Sequence, residues 1–373
     1  METCDVLIVG GGPGGSTCAW KLRRAGFDVV VMDKKTFPRD KVCAGWVTPA
    51  VIEELQLDTD DYRRGRVLQP ITGFCTRRLG DGEARVSYDQ PVSYGIRRRE
   101  FDHYLLERSG ARLALGEALS GLERRGSGWI VNDRIATPLV IGAGGHFCPV
   151  ARHLGARLGS DERVVAAQEI EFALDERQQA ACAVQGEVPE LFFCADLKGY
   201  GWCFRKGDYL NVGLGREDNH KLSEHVQAFC EFLQREGKIP RDIPRKFAGH
   251  AYLLYPYTPR TLLDDGVLLI GDAAGLAYPQ SGEGIRPAIE SALLAAQVIG
   301  ATRGDYRREN LEPYRQALIE RFGEPGSAGG GVSALLPEGL KQRLAGKLLG
   351  TSWFARRVVM DRWFLHAQQA SLS

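Results

Sequence analysis

Near the N-terminus the chain reads DVLIVGGGPGGSTCAWKL, a short apolar run followed at once by five glycines and a proline at positions 10–15. Four apolar residues before such a turn suit a short buried strand, and residues 16–25 carry helical patterning. Gly10, Gly12 and Gly15 form G-x-G-x-x-G between the two, with Pro13 and Gly14 inside the same turn. Glycines there let the backbone turn tightly and approach a pyrophosphate, while the free N–H groups and dipole of the following helix favour its charge. DVVVMDKK then gives a second strand ending at Asp33 and Lys34. An acid about 20 residues after the glycines accepts hydrogen bonds from a ribose diol and disfavours a 2′-phosphate. Strand, turn, helix, strand and acid in that order predict an α/β, Rossmann-like domain holding an adenine dinucleotide.

A second glycine-rich stretch, IGDAAGLAYPQSGEGIRPAIESALLAA, spans residues 270–296 and places an acid, Asp272, at the mouth of its turn. Residues 267–270 read as a strand delivering Gly271 and Asp272 at its carboxyl end, where open α/β sheets bind ligands. A carboxylate repels naked phosphate but binds sugar hydroxyls. FAD has a ribityl chain and a flavin ring beyond its pyrophosphate, so a second anchor carrying an acid fits FAD. Gly284 opens a long Ala/Leu-rich helix through about residue 301, whose positive end suits the N1/O2 edge of a reduced flavin. Non-covalently bound FAD is the expected cofactor.

A chain of 373 residues fits two domains, or one discontinuous domain carrying a second. A formal charge of +1 gives no global field for nucleic acid or anionic membrane, so no nucleic-acid partner is expected. Nine cysteines, without C-x-x-C, suit reduced thiols in the cytoplasm, and seven scattered histidines give no metal-ligand spacing. The first apolar run is too short for a signal-peptide core, and none is long enough to span a bilayer.

Together with RREFDHYLLE (98–107), the two loops resemble the FAD-dependent oxidoreductases related to p-hydroxybenzoate hydroxylase. FPRDKVCAGWVTPAV (37–51), GYGWCFRKGDYLNVGLG (199–215) and the G-E-G-I of residues 282–285 are similar to the geranylgeranyl reductase branch. The resemblance runs to about residue 321. It implies a Rossmann-like FAD domain (1–65, 95–160 and 248–325) interrupted by an α+β substrate domain built on a β-sheet (66–94 and 161–247), with a helical C-terminal segment (326–373). It implies further that the first-loop glycines bind pyrophosphate, Asp33 the adenosine ribose, Arg98 the region near sugar and phosphate, and Asp272 the ribityl chain. Leu119 would lie against adenine, Cys43, Ala44 and Gly45 near the flavin, and Gly282, Glu283, Gly284 and Ile285 along it. Read alone, Arg97, Arg98 and Arg99 equally describe a solvated basic cluster.

Cys43, Tyr200 and Trp202 are the catalytic candidates, with Cys43 and Tyr200 as possible proton donors. Cys43 neighbours Lys41, but a reactive thiol needs a depressed pKa, and the family's usual C-G-G reads Cys43-Ala44-Gly45 here. Residues 194–215 read as a hairpin turning at 206–208, with Tyr200, Trp202 and Phe204 sharing one face. Such a stripe also describes ordinary core; the resemblance places it over the substrate cavity. Arg205 stands where the family's W-x-F-P has proline, and points either to an anionic substrate or to water. LVIGAGGHFCPVARHLGA (139–156) supplies a third strand and glycine turn. Gly144 and Cys148 replace the Asp and Ser of the hydroxylases' G-A-D-G and S-x-x-R, and Arg152 is retained, which weakens an NADPH-dependent hydroxylase reading.

No second dinucleotide fold is visible, so the electron donor is expected to be NAD(P)H docking transiently or a redox partner protein. Residues 224–237 predict a helix whose Val226, Phe229, Cys230 and Leu233 pack on the substrate sheet. Beyond the linker-like EPGSAGGGVSA, LKQRLAGKLLG and WFARRVVMDRWFLHA have helical patterns. These suit packing helices or peripheral contact with a membrane and a lipid substrate. The expected activity is saturation of C=C bonds in a hydrophobic, isoprenoid-like substrate by hydride from flavin N5. The alternatives are a flavin monooxygenase acting on an aromatic or hydrophobic small molecule, against whose halogenase branch the missing W-x-W-x-I-P counts, and an electron-relay flavoprotein.

Overall fold

The computed structural model describes residues 1–80, 82–157, 164–218, 221–255, 260–325 and 348–372. Its first sheet runs Leu263–Asp264, Val267–Leu269, Leu139–Gly142, Val6–Val9, Val29–Asp33 and Arg112–Leu115. Neighbouring strands pair in parallel except at the Leu263–Asp264 edge. The central strands are continuous apolar runs, as a sheet covered on both faces requires. Gly142 pairs with both Val9 and Leu269, and Val9 with Met32. The carboxyl ends of these strands are therefore level, and the turns after Val9, Gly142 and Leu269 leave one sheet edge together with Asp33. On one face lie the helices Pro13–Arg24 and Ile285–Ala301. A Cβ at Gly14 would sit 3.1 Å from the Ala288 carbonyl oxygen, so a glycine there lets the two helices pack backbone to backbone.

The second large sheet has seven strands, in order Ala248–Leu253, Val164–Ala173, Tyr209–Arg216, Gly199–Lys206, Glu190–Phe193, Gly73–Arg78 and Glu83–Ser87. The expected hairpin is present, with Gly207 at φ +58° in its turn. Alternation sorts its residues. Cys203 faces the helix Leu222–Arg235, which buries Val226, Phe229, Cys230 and Leu233 against the sheet as anticipated. Trp202 and Phe204 enter a different cluster with Trp46, Val359, Met360 and Phe364, and Tyr200 packs against it.

The C-terminal helix departs from the expected α-helical pattern: one turn at Ser352–Phe354 leads into a wider π-helix at Ala355–Phe364. Its buried residues Ala355, Val359, Met360 and Phe364 recur at intervals of four, one and four, which i→i+5 winding gathers on one side. Most of LKQRLAGKLLG and of the glycine-rich stretch lies outside the described residues. The chain then returns to the first sheet's helices. Arg286 Nη2 donates to the Gln369 carbonyl at 2.8 Å, Arg321 Nη2 donates to the Ala370 carbonyl at 2.7 Å, and both arginines hold buried Glu290. Leu372 N–H donates to Glu54 Oε1 at 3.0 Å. Burial, then the neighbouring Glu290 carboxylate, push the Glu54 carboxyl up to about 8. Among the described residues, no helix is long and apolar enough to cross a membrane.

Candidate functional site

A cavity of about 960 Å³ opens between the two sheets, lined by Gly10, Gly12, Pro13 and Gly14 on one side and Gly271, Asp272, Gly282, Glu283, Gly284 and Ile285 on the other. Gly12 caps the first-loop helix with no side-chain hydrogen bond and no acid in the first turn. The orphan N–H groups and positive end of that helix therefore adjoin the cavity uncompensated. Gly10 has φ +116°, and a Cβ there would lie 2.3 Å from the Ala143 carbonyl oxygen, so the turn admits no larger residue. Gly15 is set back from the cavity: its Cβ would meet the Gly10 carbonyl, which makes it a close-packing position beneath the loop. Asp33 lines the same space with Lys34; its Oδ2 accepts from Gly11 N–H at 2.8 Å and its Oδ1 from Lys35 N–H at 2.9 Å. Leu119 is also in the lining.

At the second loop, Asp272 lies against the start of the long helix, its Oδ1 2.8 Å from where a Gly284 Cβ would be. Asp272 Oδ2 is 3.8 Å from His250 Nε2, and Lys41 Nζ is 2.8 Å from the same nitrogen. Burial alone would raise the Asp272 carboxyl, but the His250 hydrogen bond and the Lys41 charge outweigh it and hold it below the usual carboxylate range. Burial, partly offset by Asp272, lowers Lys41 to about 8. Read from sequence, Lys41 is only a neighbour of Cys43, and His250 is not singled out. Lys41 lay in a quoted motif, but His250 is on a strand far from it, and only the fold joins them.

The three arginines of residues 97–99 separate in space. Arg98 is buried in a bidentate pair with Asp102 at 2.7 and 2.8 Å, and Arg39 reaches the same carboxylate at 3.1 Å. Arg97 pairs with Glu100 and Glu171, and Arg99 reaches Asp40. The solvated-cluster reading therefore fails for Arg98, a buried cation in the cavity wall.

Cys43, Ala44 and Gly45 line the cavity too. Burial raises the Cys43 thiol, with Arg98 pulling the other way, so the group is a neutral thiol at neutral pH. The loop is held from the seven-stranded sheet. Lys206 Nζ donates to the Ala44 and Ile96 carbonyls, both at 2.9 Å, and Asn211 Nδ2 donates to the Cys43 carbonyl at 3.1 Å. Trp202 donates its indole N–H to Asn211 Oδ1 at 2.7 Å. Opposite Trp202 stands Gly213, where a Cβ would sit 2.2 Å from the indole ring. Tyr200 donates to the Ser281 carbonyl, tying the aromatic stripe to the second loop. Arg205 donates to the Gly207 carbonyl and is absent from the cavity lining, so of its two readings the outward one holds. Lys206, one residue on, faces inward on the Tyr200–Trp202–Phe204 side; continuing the alternation by one step was the signal for it. Gly144 and Arg152 line the cavity, and Cys148 is buried beside Gly144.

The residues present fit FAD. One cavity brings together an uncapped helix N-terminus, a glycine turn with no room for a side chain, a ribose-compatible acid and an ionised acid at a second loop. Residues 8–49 match the NAD(P)-binding Rossmann-like domain family. The digeranylgeranylglycerophospholipid reductase of Methanocaldococcus jannaschii is 28% identical over 340 residues, 87% of this chain and 84% of that protein. The menaquinone reductase of Mycobacterium tuberculosis is 29% identical over 362 residues, covering 90% and 84%. The chain is thus similar along most of its length to reductases of geranylgeranyl-type lipid and of menaquinone, which supports an oxidoreductase. A geranylgeranyl bacteriochlorophyll reductase-like protein of Thermoplasma acidophilum shares the fold of this chain with TM-score 0.78 at 21% identity, over 99% of this chain and 98% of that one. The halogenase PltM in complex with phloroglucinol and FAD shares it with TM-score 0.67 at 15% identity, over 84% and 73%. The same scaffold thus occurs in a reductase-like protein and in a halogenase, and fold alone does not choose between such activities.

Proposed function

We propose that this oxidoreductase binds FAD non-covalently and saturates C=C bonds of a hydrophobic, isoprenoid-like substrate. The observation carrying this reading is that the cavity's polar cradle adjoins an apolar wall. Tyr200 and Tyr252 join the main cavity, which Trp202 also lines, to a second one of about 280 Å³, bordered by Phe193, Leu254, Leu349, Phe354 and Trp363. Tyr200, Tyr252, Ser281 and Gly282 line both spaces. An aliphatic chain reaching the flavin region through that second space loses water from its whole length. The names of the two sequence relatives, both reductases of molecules with long apolar parts, support the same class.

Bound in the cradle, reduced flavin supplies a hydride from N5. The first-loop helix and Gly10 turn hold the pyrophosphate, Asp33 the ribose, and Asp272, kept ionised by its neighbours, the ribityl hydroxyls. Arg98 supports the sugar and phosphate region, and residues 282–285 follow the ring. In this reading residues 1–65, 95–160 and 248–325 form the cofactor domain, residues 66–94 and 161–247 the substrate domain and residues 326–373 the C-terminal segment. The electron donor is NAD(P)H or a redox protein that docks from outside, and the protein is cytoplasmic with peripheral access to lipid.

The test is anaerobic turnover. Protein reduced with dithionite under argon and mixed with geranylgeranyl lipid or menaquinone should reoxidise and yield a product heavier by two hydrogens per double bond. Product formed solely when oxygen is admitted, heavier by one oxygen, would instead establish a monooxygenase.

A further inference from the structure

We infer that Glu169 is the acid that completes the reduction, giving its carboxyl proton to the alkene carbon that does not receive the hydride. The inference rests on the reductase reading above. Hydride from reduced flavin forms one C–H bond, and the electron pair of the broken π bond forms the second with the Glu169 proton. The flavin is left oxidised, the alkene reduced, and Glu169 is a carboxylate that regains a proton from solvent.

Glu169 lies on the strand Val164–Ala173, whose Ala167, Glu169 and Glu171 face the cavity opposite the cofactor loops. It is 5% exposed. Asn211 Nδ2 donates to its Oε2 at 3.3 Å, and the Cys43 backbone also hydrogen-bonds to it. Asn211 is itself oriented by the Trp202 indole, so the carboxyl is held by a strand residue that cannot turn freely.

Two carboxyls on one strand are driven apart by their surroundings. Glu171 receives Lys206 Nζ at 2.7 Å and Arg97 Nε at 3.3 Å; although burial opposes it, these cations hold it below the usual range, ionised. Glu169 is left with burial as its dominant influence, which pushes it up to about 8. The charged and titratable groups around it are Glu171 on its own strand, Lys206 across the sheet, Cys43 on the loop, and His250, which shares its face of the sheet two residues beyond its register partner Ala248 on the strand Ala248–Leu253. Such separated pairs mark acid and ionised partner in active sites. The other cavity donors compare poorly. Burial raises Cys43 and drives Tyr200 well above its ordinary value, and the Tyr200 hydroxyl already donates to the Ser281 carbonyl. Glu283, pushed by burial to about 7, lies in the cofactor-loop wall of the cavity, where its Oε1 accepts the Arg286 N–H at 3.0 Å at the start of the long helix.

The experiment compares wild-type, Glu169→Gln and Glu169→Asp holoenzymes, each confirmed to retain flavin. Infrared difference spectra between wild type and Glu169→Gln at pH 7 should show one protonated carboxyl band missing from the variant. Mixing each reduced enzyme anaerobically with a geranylgeranyl lipid should show Glu169→Gln reoxidising about 100-fold or more slowly. Glu169→Asp should recover part of the loss. In wild type the rate should fall as pH passes about 8, the value burial gives Glu169, and that limb should be absent in Glu169→Gln. An ionised Glu169 at pH 7, or a Glu169→Gln rate within about threefold of wild type with the limb retained, overturns the assignment while leaving the reductase reading intact. Wild-type enzyme that reoxidises with no alkene at all overturns both.

Discussion

Lys206 donates to the Ala44 carbonyl at 2.9 Å, so a side chain of the seven-stranded sheet fixes a loop that belongs to the cofactor cavity. The ammonium is 1% exposed and is compensated by Glu171 at 2.7 Å. This buried ion pair makes the distance between the sheet's aromatic face and the proposed cofactor loops a property of the fold.

Replacing Lys206 with Met leaves Glu171 with Arg97 and the Asn211 amide, and removes the ammonium that the Ala44 and Ile96 carbonyls share. The expected loss is about 3–5 kcal/mol of stability, read by denaturant titration. Lys206→Met combined with Glu171→Leu should recover part of it, because the second change removes the stranded charge.

Asp272→Ala should weaken FAD binding by at least about tenfold, the equivalent of one good hydrogen bond to sugar hydroxyl. Fluorescence titration of apoprotein measures it. Asp33→Ala should weaken AMP binding as well as FAD, whereas Asp272→Ala should leave AMP affinity unchanged, because only the longer molecule reaches the second loop.

Thermal stability should fall as pH rises from about 5 to 8. Glu54 is raised in the folded state to about 8, so the folded protein binds more protons than the unfolded chain above the ordinary glutamate range. Its stabilising share is complete below the unfolded value and is lost on passing through the folded one. Glu54→Gln should raise the melting temperature at pH 8 and flatten the slope. A slope unchanged in that variant would refute the role given to this carboxyl.

Cys43 should alkylate slowly. A buried thiol raised by desolvation presents little thiolate at pH 8. Iodoacetamide labelling followed by peptide mass analysis should show its rate about tenfold or more below that of a free peptide thiol, and Cys43→Ser should retain flavin.

Much of the fold was legible because its loops obey local rules. Strand, glycine turn and helix need only neighbouring residues, and the aromatic alternation of residues 200–204 needs only a strand. The residues that were missed owe their position to contacts distant in sequence. Lys206 meets Ala44 across 162 positions, and Asn211 meets Cys43 across 168. Glu169 reads on paper as a polar residue on an amphipathic strand, and only the arrival of the 43–45 loop removes it from water. The C-terminal winding was equally hidden, since a π-helix keeps an apolar periodicity close to that of an α-helix.

Trp202 and Gly213 are register partners, and the indole occupies the space a side chain at 213 would take. The depth of the cavity beside the proposed flavin site is therefore written on the neighbouring strand, in the atom Gly213 lacks. Descendants of this sequence can enlarge residue 213 only after shrinking residue 202, so the two positions should drift as a pair, and a designer seeking a roomier chamber must edit both in that order.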